Sequence, residues 1–244
     1  MDRIKAITFD FWGTLYHGMS SRLGRMQRLA DVLWEHGLTF SQEALDEADR
    51  LAWTEWDRAW REEFRTLSAS DWLRLMFEHL RVTLPPAAFE GLADDFDTSV
   101  LKTDPPLQLV DGVQSVVRRL AGRFSLGIIS DTGLSSGKTL RRFLDRDRLA
   151  GCFACLSFSD ETGVSKPHPD AFRRALACLA VQPSEAIHVG DLTRTDIAGA
   201  KSLGMFAVRF TGAYDDPDLS TPPDAIVQTY ADFEQLVHAW TKES

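Results

Sequence analysis

The sequence predicts an α/β protein whose core is a doubly wound, Rossmann-like parallel sheet, with an all-α helical cap domain inserted into it. Three observations predict this class. The chain opens with an apolar, strand-like run over residues 4–9. Residues 16–104 then show helical periodicity and no convincing strand. From residue 105 onward, short apolar runs alternate with helical patterns, which is typical of a parallel sheet with right-handed connections.

The first predicted strand reads IKAITF and leads into Asp10 and a turn at Gly13 and Thr14. Apolar residues on both faces are typical of a central strand that is covered on both sides. Ligands of open α/β sheets bind beyond the carboxyl ends of the strands, which is where Asp10 stands. Alternatively, Asp10 only caps the turn, and this stretch by itself leaves both interpretations open.

Four helices are predicted in the cap, with Ser, Gly and Pro residues at their ends. They cover residues 21–36, 41 to about 65, 70–82 and 86 to about 101. Five of the seven tryptophans lie in this region, namely Trp34, Trp53, Trp56, Trp60 and Trp72. Because each indole must bury a large apolar area, we interpret them as the core of a helix bundle rather than as a ligand-binding box.

The predicted α/β core comprises residues 1–15 and 105–244, and the predicted cap comprises residues 16–104. After the cap, the predicted strands cover residues 124–129, 153–158, 186–189, 206–210 and 225–227. The predicted helices cover residues 112–121, 139–147, 167–180, 193–203 and 231–240. Asp111 is the expected N-cap of the first of these helices, and Pro167 is the expected first-turn residue of the third.

Composition excludes several classes of partner. The chain has 244 residues and a net charge of −9, without the Lys/Arg cluster that marks nucleic-acid binding. No apolar run approaches the roughly 20 residues of a membrane span. Three cysteines, an odd number, and no signal peptide indicate a cytoplasmic protein. Cys152 and Cys155 have redox-like spacing but apolar neighbours, so we expect buried thiols.

Four motifs follow one another in the α/β part, each at a strand end or a helix start. They are Asp10 in DFWGTL, Ser130 in GIISDTG, Lys166 in SKPHPDAF, and Asp191 with Asp196 in HVGDLTRTD. With these motifs the chain resembles the haloacid dehalogenase superfamily. The resemblance covers the whole α/β part, and the helical block matches the cap that this family inserts after the first motif. A single motif is weak, but four in order and in context are specific.

The physical chemistry of phosphoryl transfer suits the same residues. The reaction needs a nucleophile, a metal and neutralisation of the phosphoryl oxygens. Asp10 is a carboxylate able to form an aspartyl phosphate, and Asp191 can share an Mg²⁺ ion with it. Two like charges about 4 Å apart repel by about 4 kcal/mol at an effective dielectric constant near 20. Three carboxylates and a phosphate therefore require both the metal and Lys166.

The family pattern implies a role for each matching residue. Asp10 is the expected nucleophile and a metal ligand. The main-chain oxygen of Trp12 and the carboxylate of Asp191 are the further ligands. Asp196 is expected to belong to the metal site without contacting the ion directly. The implied cofactor is Mg²⁺.

The remaining expected site residues contact the substrate. Ser130 and Lys166 are expected to hold the phosphoryl group, and Thr14 to orient the first loop. Asp131 stands where many relatives have Asn, and we include it as a substrate-contact candidate. The expected substrate is a small phosphorylated, anionic molecule.

One position departs from the family pattern. Family phosphatases usually carry Asp two residues after the nucleophile, where it protonates the leaving group and activates water; here that residue is Trp12. The dehalogenase branch also lacks this Asp, so a 2-haloacid dehalogenase that forms an aspartyl ester is the main rival function. That branch works without metal and lacks the acidic pair kept here as Asp191 and Asp196. The pair therefore favours a phosphatase.

Two further functions stay open at this point. One is phosphonate hydrolysis, whose branch of the family uses a cap lysine; Lys102, near the end of the cap, is the only lysine of that block. The second is a weakly catalytic protein that keeps the fold for interaction. The cap does not identify the substrate; His17, Arg22 and Arg65 are candidate contacts. The chain is expected to be a monomer or a homodimer.

Overall fold

The computed structural model describes residues 4–17 and 21–242. The chain divides into two compact units. One is an α/β unit of Met1–His17, Gln108–Asp131 and Arg141–Ser244, and the other is a helical unit of Gly18–Leu107 and Thr132–Leu140. The predicted domain boundaries stay a prediction, and this division differs from them by grouping Thr132–Leu140 with the helices.

The strands of the α/β unit form a six-stranded sheet and a short two-stranded one. They are β1 (Ala6–Phe9), β2 (Tyr16–His17), β3 (Gln108–Leu109), β4 (Ser125–Ser130), β5 (Cys155–Phe158), β6 (Ala186–Gly190), β7 (Phe206–Phe210) and β8 (Ala225–Val227). The large sheet has the order β5-β4-β1-β6-β7-β8, and every pair in it is parallel. The predicted fold class, a doubly wound parallel sheet with an inserted helical block, is confirmed.

The central position of β1 explains its apolar sequence. All four of its residues are fully buried, because strands flank it on both sides and other elements cover both faces. Phe9 lies opposite Ile128 of β4 and Val189 of β6. Its ring also packs edge-on against Phe153 and Phe233. The residues that follow β1, β4 and β6 therefore emerge side by side at one edge of the sheet.

The described residues contain ten α-helices. They are α1 (Arg22–Glu35), α2 (Gln42–Glu62), α3 (Ala69–Leu80), α4 (Pro86–Thr98), α5 (Val113–Ala121), α6 (Gly137–Arg146), α7 (Ser159–Thr162), α8 (Pro169–Cys178), α9 (Ala198–Ser202) and α10 (Tyr230–Lys242). A 3₁₀ turn, Ser99–Lys102, continues α4. None of the helices in the described part of the chain is both long and apolar enough to span a bilayer.

Local details of the helices differ from the sequence predictions. The expected N-cap at Asp111 is wrong, because Gly112 occupies that position with φ of +83°. A Cβ at Gly112 would press on Tyr230, so a capping side chain does not fit. Pro169, not Pro167, stands in the first turn of α8, whose N-cap is His168.

The helical unit has its own apolar core, built from α1 to α4 and Leu134. Trp72 is buried within it, but Trp53 is 39% exposed and Trp34 is 71% exposed. The tryptophans are thus only partly the bundle core that we expected. Within this unit Asp97 fixes the segment that precedes α6. Its carboxylate accepts hydrogen bonds from Ser136 N–H at 2.7 Å and Ser136 Oγ at 2.9 Å.

The loop after β1 is held from within the α/β unit. Phe11 stacks on Tyr16 with ring centroids 4.5 Å apart. The buried hydroxyl of Tyr230, at the start of α10, donates to the main-chain oxygen of Thr14 at 3.0 Å. The last helix therefore fixes the loop that carries Asp10.

Replacing Tyr230 with Phe should lower the free energy of unfolding by about 1 to 2 kcal/mol, because a buried acceptor loses its donor. Chemical denaturation measures this change. Tyr214→Phe is the matched control, since Tyr214 is 47% exposed and should change stability by less than about 0.5 kcal/mol. Equal stabilities of the two variants would contradict the structural role of this hydrogen bond.

Candidate active site

The loop after β1 places Asp10 at the carboxyl edge of the sheet. The N–H of Asp10 donates to the main-chain oxygen of Val189 at 2.8 Å. Three residues later Gly13 has φ of +69°, and a Cβ on it would overlap the carboxylate of Asp191. A positive φ disfavours side chains as well. Gly13 thus allows Asp191 to approach the loop that carries Asp10.

The chain after β6 forms the second part of the site. Asp191 follows Gly190 directly, and Asp196 lies in a π-helical turn, Thr193–Ile197. Oδ2 of Asp196 accepts a hydrogen bond from the N–H of Leu192 at 3.0 Å. A Cβ on Gly190 would overlap the carboxyl group of Asp196. The absence of a side chain at Gly190 lets Asp196 lie against the end of β6.

Lys166 joins two of the carboxylates. Its side chain is 2% exposed, and Nζ donates to Oδ1 of Asp10 at 2.5 Å and to Oδ1 of Asp196 at 2.6 Å. The main-chain N–H of Lys166 donates to Oδ1 of Asp131 at 2.9 Å. Asp131 therefore fixes the loop that delivers Lys166, while the substrate contact predicted for it stays a prediction.

Burial and charge shift the pKa values of these groups in different directions. Burial raises the pKa of Asp10 to about 7, against the opposing attraction of Lys166. Burial and the charges of Asp10 and Asp196 raise the pKa of Asp191 to about 9. Burial works to raise the pKa of Asp196 too, but Lys166 and His188 hold it well below its usual range. Without a metal, the site therefore has too little positive charge for three ionised carboxylates.

The ammonium group of Lys166 stays protonated. Burial works to lower its pKa, but the negative charges of Asp10 and Asp196 outweigh burial and raise that pKa. The charges of Asp10 and Asp196 therefore favour the charged form of Lys166, and Lys166 in turn favours the ionised form of Asp196.

Two residues behind the site were missed by the sequence analysis. His188 is fully buried, with Nε2 3.1 Å from Oδ1 of Asp196 and Nδ1 2.9 Å from Oγ1 of Thr8. Burial lowers the pKa of His188, so the ring is neutral near pH 7. Because a carboxylate only accepts, Nε2 carries the proton and Nδ1 accepts from Thr8. In the sequence, these two residues stand out only because each is polar and lies in an otherwise apolar strand.

The acidic cluster has the chemistry of an Mg²⁺ site. Each of Asp10, Asp191 and Asp196 offers an oxygen, and these oxygens all lie within 4.8 Å of one another. Oδ1 of Asp191 is buried and has no hydrogen-bond partner in the described part of the chain. The main-chain oxygen of Trp12 likewise accepts no hydrogen bond from the described residues. Oxygen ligands of this kind fit Mg²⁺, which also keeps several waters.

Two hydroxyl groups complete the set of site candidates. Ser130 ends β4, the strand next to β1, and Thr14 follows Gly13 in the first loop. Both side chains are buried, and neither hydroxyl has a hydrogen-bond partner within residues 4–17 and 21–242. An unsatisfied buried hydroxyl costs free energy, so each of these groups would gain from a ligand oxygen. Their contacts to a phosphoryl group stay predictions.

The three candidate substrate contacts outside this cluster are paired or exposed. Arg22 donates to Asp49 at 2.6 Å and to Asp46 at 2.9 Å. Arg65 donates to Glu63 at 2.6 Å, and His17 is exposed. Arg22 and Arg65 thus have ion-pair partners within the helical unit, and their substrate contacts stay predictions.

Comparison with known proteins gives the family. The model of the family described as haloacid dehalogenase-like hydrolase matches residues 4–204. The chain therefore belongs to the haloacid dehalogenase-like hydrolases, and the predicted family and hydrolase class are confirmed.

Individual relatives carry different names. The glyceraldehyde 3-phosphate phosphatase of Pyrococcus furiosus is 37% identical over 131 residues, which are 52% of this chain and 50% of that protein. The chain thus matches half the length of this curated relative. The crystal structure of a 2-haloacid dehalogenase from Pseudomonas syringae pv. Tomato DC3000 is 28% identical, with a TM-score of 0.73 over 97% of this chain and 99% of that one. A HAD phosphatase from Thermococcus onnurineus, 24% identical with a TM-score of 0.65 over 96% and 98% of the chains, shares the fold.

The pKa shifts predict how stability depends on pH in chelator. A carboxyl group whose pKa is raised on folding binds its proton more tightly in the folded state, so the free energy of unfolding falls as pH rises. For Asp191 this window runs from its ordinary value of 3.8 to about 9, and for Asp10 to about 7. Each group contributes a slope of at most about 1.4 kcal/mol per pH unit.

Thermal melts in chelator should therefore show a stability loss between pH 7 and about 9 to which Asp191 contributes. Asp191→Asn should remove that part of the slope, and added Mg²⁺ should reduce it in the unmodified protein. Asp145→Asn, at an exposed position of the same unit, is the control and should keep it. An unchanged slope in Asp191→Asn would show that Asp191 is ionised in the metal-free protein.

Proposed function

We propose that this chain is an Mg²⁺-dependent phosphatase that acts on a small phosphorylated metabolite through an aspartyl-phosphate intermediate on Asp10. The observation that carries the proposal is the cluster of Asp10, Asp191 and Asp196 around the buried ammonium of Lys166. Such a cluster has an excess of negative charge, which suits a divalent cation and not a metal-free site for an organic anion.

In the proposed reaction Asp10 attacks phosphorus as a carboxylate. Lys166 favours the ionised form of Asp10 and also neutralises charge on the phosphoryl oxygens. Ser130 donates its hydroxyl to one of those oxygens. The bond between phosphorus and the leaving oxygen breaks as the bond to Asp10 forms, and water then attacks phosphorus and returns Asp10 to its free form.

The metal would be held by Asp10, Asp191 and the main-chain oxygen of Trp12, with Asp196 supporting the site through Lys166 and Leu192. When bound, Mg²⁺ supplies positive charge that holds the phosphoryl group in line. The hydroxyl of Thr14 would orient the loop between Asp10 and the metal.

Trp12 sets the expected substrate preference. The indole side chain cannot exchange a proton near neutral pH, so the departing alkoxide lacks an acid at this position. We infer that good leaving groups, such as aryl or acyl groups, react faster than alkyl groups. Water attack on the aspartyl phosphate should be slow for the same reason.

The relatives support a small phosphorylated substrate. One is named a glyceraldehyde 3-phosphate phosphatase, and another, 36% identical over 86 residues, a phosphoserine phosphatase from Thermus thermophilus. The net charge of −9 argues against nucleic acid. We propose a cytoplasmic protein, monomeric or homodimeric, that binds neither nucleic acid nor membranes.

A 2-haloacid dehalogenase is the second candidate. It is favoured by the similarity to the Pseudomonas syringae protein over nearly the whole chain and by the lack of an acid at Trp12. In this reaction Asp10 would displace halide from carbon and form an ester, which water would hydrolyse. The unpartnered, buried oxygen of Asp191 has no task in that reaction, so we favour the phosphatase.

Hydrolysis of p-nitrophenyl phosphate should require Mg²⁺ and should stop in chelator. Asp10→Asn should abolish turnover and keep the fold, because an amide is a poor nucleophile. Asp145→Asn should keep full activity as the control. The proposal fails if Asp10→Asn retains a tenth of the activity, or if chloride is released from 2-chloropropionate equally well with and without chelator.

Trp12→Asp should speed hydrolysis of alkyl phosphates at least severalfold, because it restores a proton carrier and leaves the main-chain oxygen in place. General acid–base assistance is typically worth about 10² to 10⁴ in rate. Trp12→Leu is the matched control, since it removes the indole without adding an acid. Thermal melts must show that both variants fold.

Two results together would contradict this role of Trp12. The folded Trp12→Asp variant would be no faster than the unmodified enzyme, and the rate of the unmodified enzyme would not depend on the acidity of the leaving group. His17 or Asp131 would then be tested as the proton carrier.

A further inference from the structure

The helical unit contains a cavity of about 690 Å³ that the proposed reaction does not use. It lies at the amino end of α1 and the end of α4. Its polar lining includes Ser21, Arg25, Ser99 and Lys102. A cavity of this size suits a small-molecule ligand, since such sites typically enclose about 300–1,000 Å³.

Arg25 is the unusual residue of this cavity. Arg25 is only 8% exposed. Its Nη1 donates to Oγ of Ser21 at 2.5 Å and to Oγ of Ser99 at 3.4 Å. In the described part of the chain, Nε and Nη2 have no hydrogen-bond partner, and no carboxylate lies within ion-pair distance of Arg25. Arg25 lines the cavity, and these two groups can therefore donate hydrogen bonds to a ligand there.

The negative charge that raises the pKa of Arg25 is not paired with it. Asp49 acts on Arg25 from a distance, but it accepts a 2.6 Å hydrogen bond from Arg22. Burial lowers the pKa of Arg25 to about 10, against the attraction of Asp49. The guanidinium therefore stays charged at neutral pH. The preceding segment, residues 18–20, is Gly-Met-Ser and contains no carboxylate.

The amino end of α1 adds to the positive potential. This 14-residue helix has no acidic residue in its first turn, and the Ser21 side chain does not cap it. No described residue lies within 4 Å of a Cβ built on Gly24. Helix amino termini favour anions. Asp95 accepts from both Arg28 and Lys102. Arg28 also pairs with Glu35 at 3.7 Å, and Asp104 is the second carboxylate of the lining.

We propose that this cavity binds a small anion with a phosphate or carboxylate group, which the Nε–Nη2 edge of Arg25 holds with two parallel hydrogen bonds. That edge of a guanidinium matches the oxygens of either group. The anion is a separate small molecule that binds within the helical unit, so the site does not rest on the proposed phosphatase function.

Inorganic phosphate is the probe. It is titrated into ¹⁵N-labelled protein in chelator, and the Nε–H resonance of Arg25 is identified by its absence in Arg25→Lys. The resonance should shift saturably, and Arg25→Met should weaken phosphate binding to this unit by about tenfold or more. Arg50→Met, which removes an exposed arginine paired with Glu47, is the control and should leave the Arg25 shift unchanged.

A local resonance separates this site from phosphate bound near Asp10. No shift of the Arg25 signal at tens of millimolar phosphate would overturn the proposal. So would main-chain amide resonances of Ser21 and Ser99 that titrate with the same phosphate affinity in Arg25→Met as in the unmodified protein, because binding at this cavity would then not involve the guanidinium. If Arg25→Met fails to fold, Arg25→Lys takes its place. Lysine keeps the positive charge but cannot form two parallel hydrogen bonds, so this variant should bind phosphate severalfold more weakly.

Loss of all phosphatase activity in the unmodified protein would refute the proposed function, while the resonance shift would still test the site.

Discussion

The ion pairs of Lys166 are the interaction on which the α/β unit depends. One ammonium lies 2.5 Å from Asp10 and 2.6 Å from Asp196, and all three side chains are buried. Removing one partner of a buried pair typically costs about 3–5 kcal/mol, because a charge stays behind unpaired. The three residues come from the loop after β1, the turn after β6 and the segment before α8. The order of the strands in the sheet therefore determines which charges meet at its edge, and those charges must balance for the fold to be stable.

Two glycines and one neutral histidine make this constraint possible. Gly13 and Gly190 leave space that Asp191 and Asp196 occupy, so the carboxylates come close despite their repulsion. His188 donates a hydrogen bond to the same oxygen of Asp196 that Lys166 contacts, and it does so without adding charge. The result is a site with surplus negative charge at Asp191, which explains why a divalent cation fits this chemistry better than a substrate anion alone.

The sequence predicted the large-scale fold because the strands of a parallel sheet are continuous apolar runs, and the motif residues follow their ends. It placed Asp10, Lys166 and Asp196 in one site for the same reason, and the structure brings their side chains into contact. It did not predict His188 as a partner of Asp196, because strand periodicity marks a residue as buried without naming its contact. The Gly112 cap also depends on Tyr230, more than a hundred residues away, and no local pattern records such packing.

The central claim is that Asp10 attacks phosphorus. The most direct measurement is mass spectrometry of enzyme quenched in acid during a single turnover of p-nitrophenyl phosphate in ¹⁸O-labelled water. The account predicts a phosphate adduct on the peptide that carries Asp10, and ¹⁸O in the released phosphate. Absence of the adduct, or ¹⁸O in the Asp10 carboxyl group after turnover of 2-chloropropionate, would contradict it, because water would then attack an ester carbon instead of phosphorus.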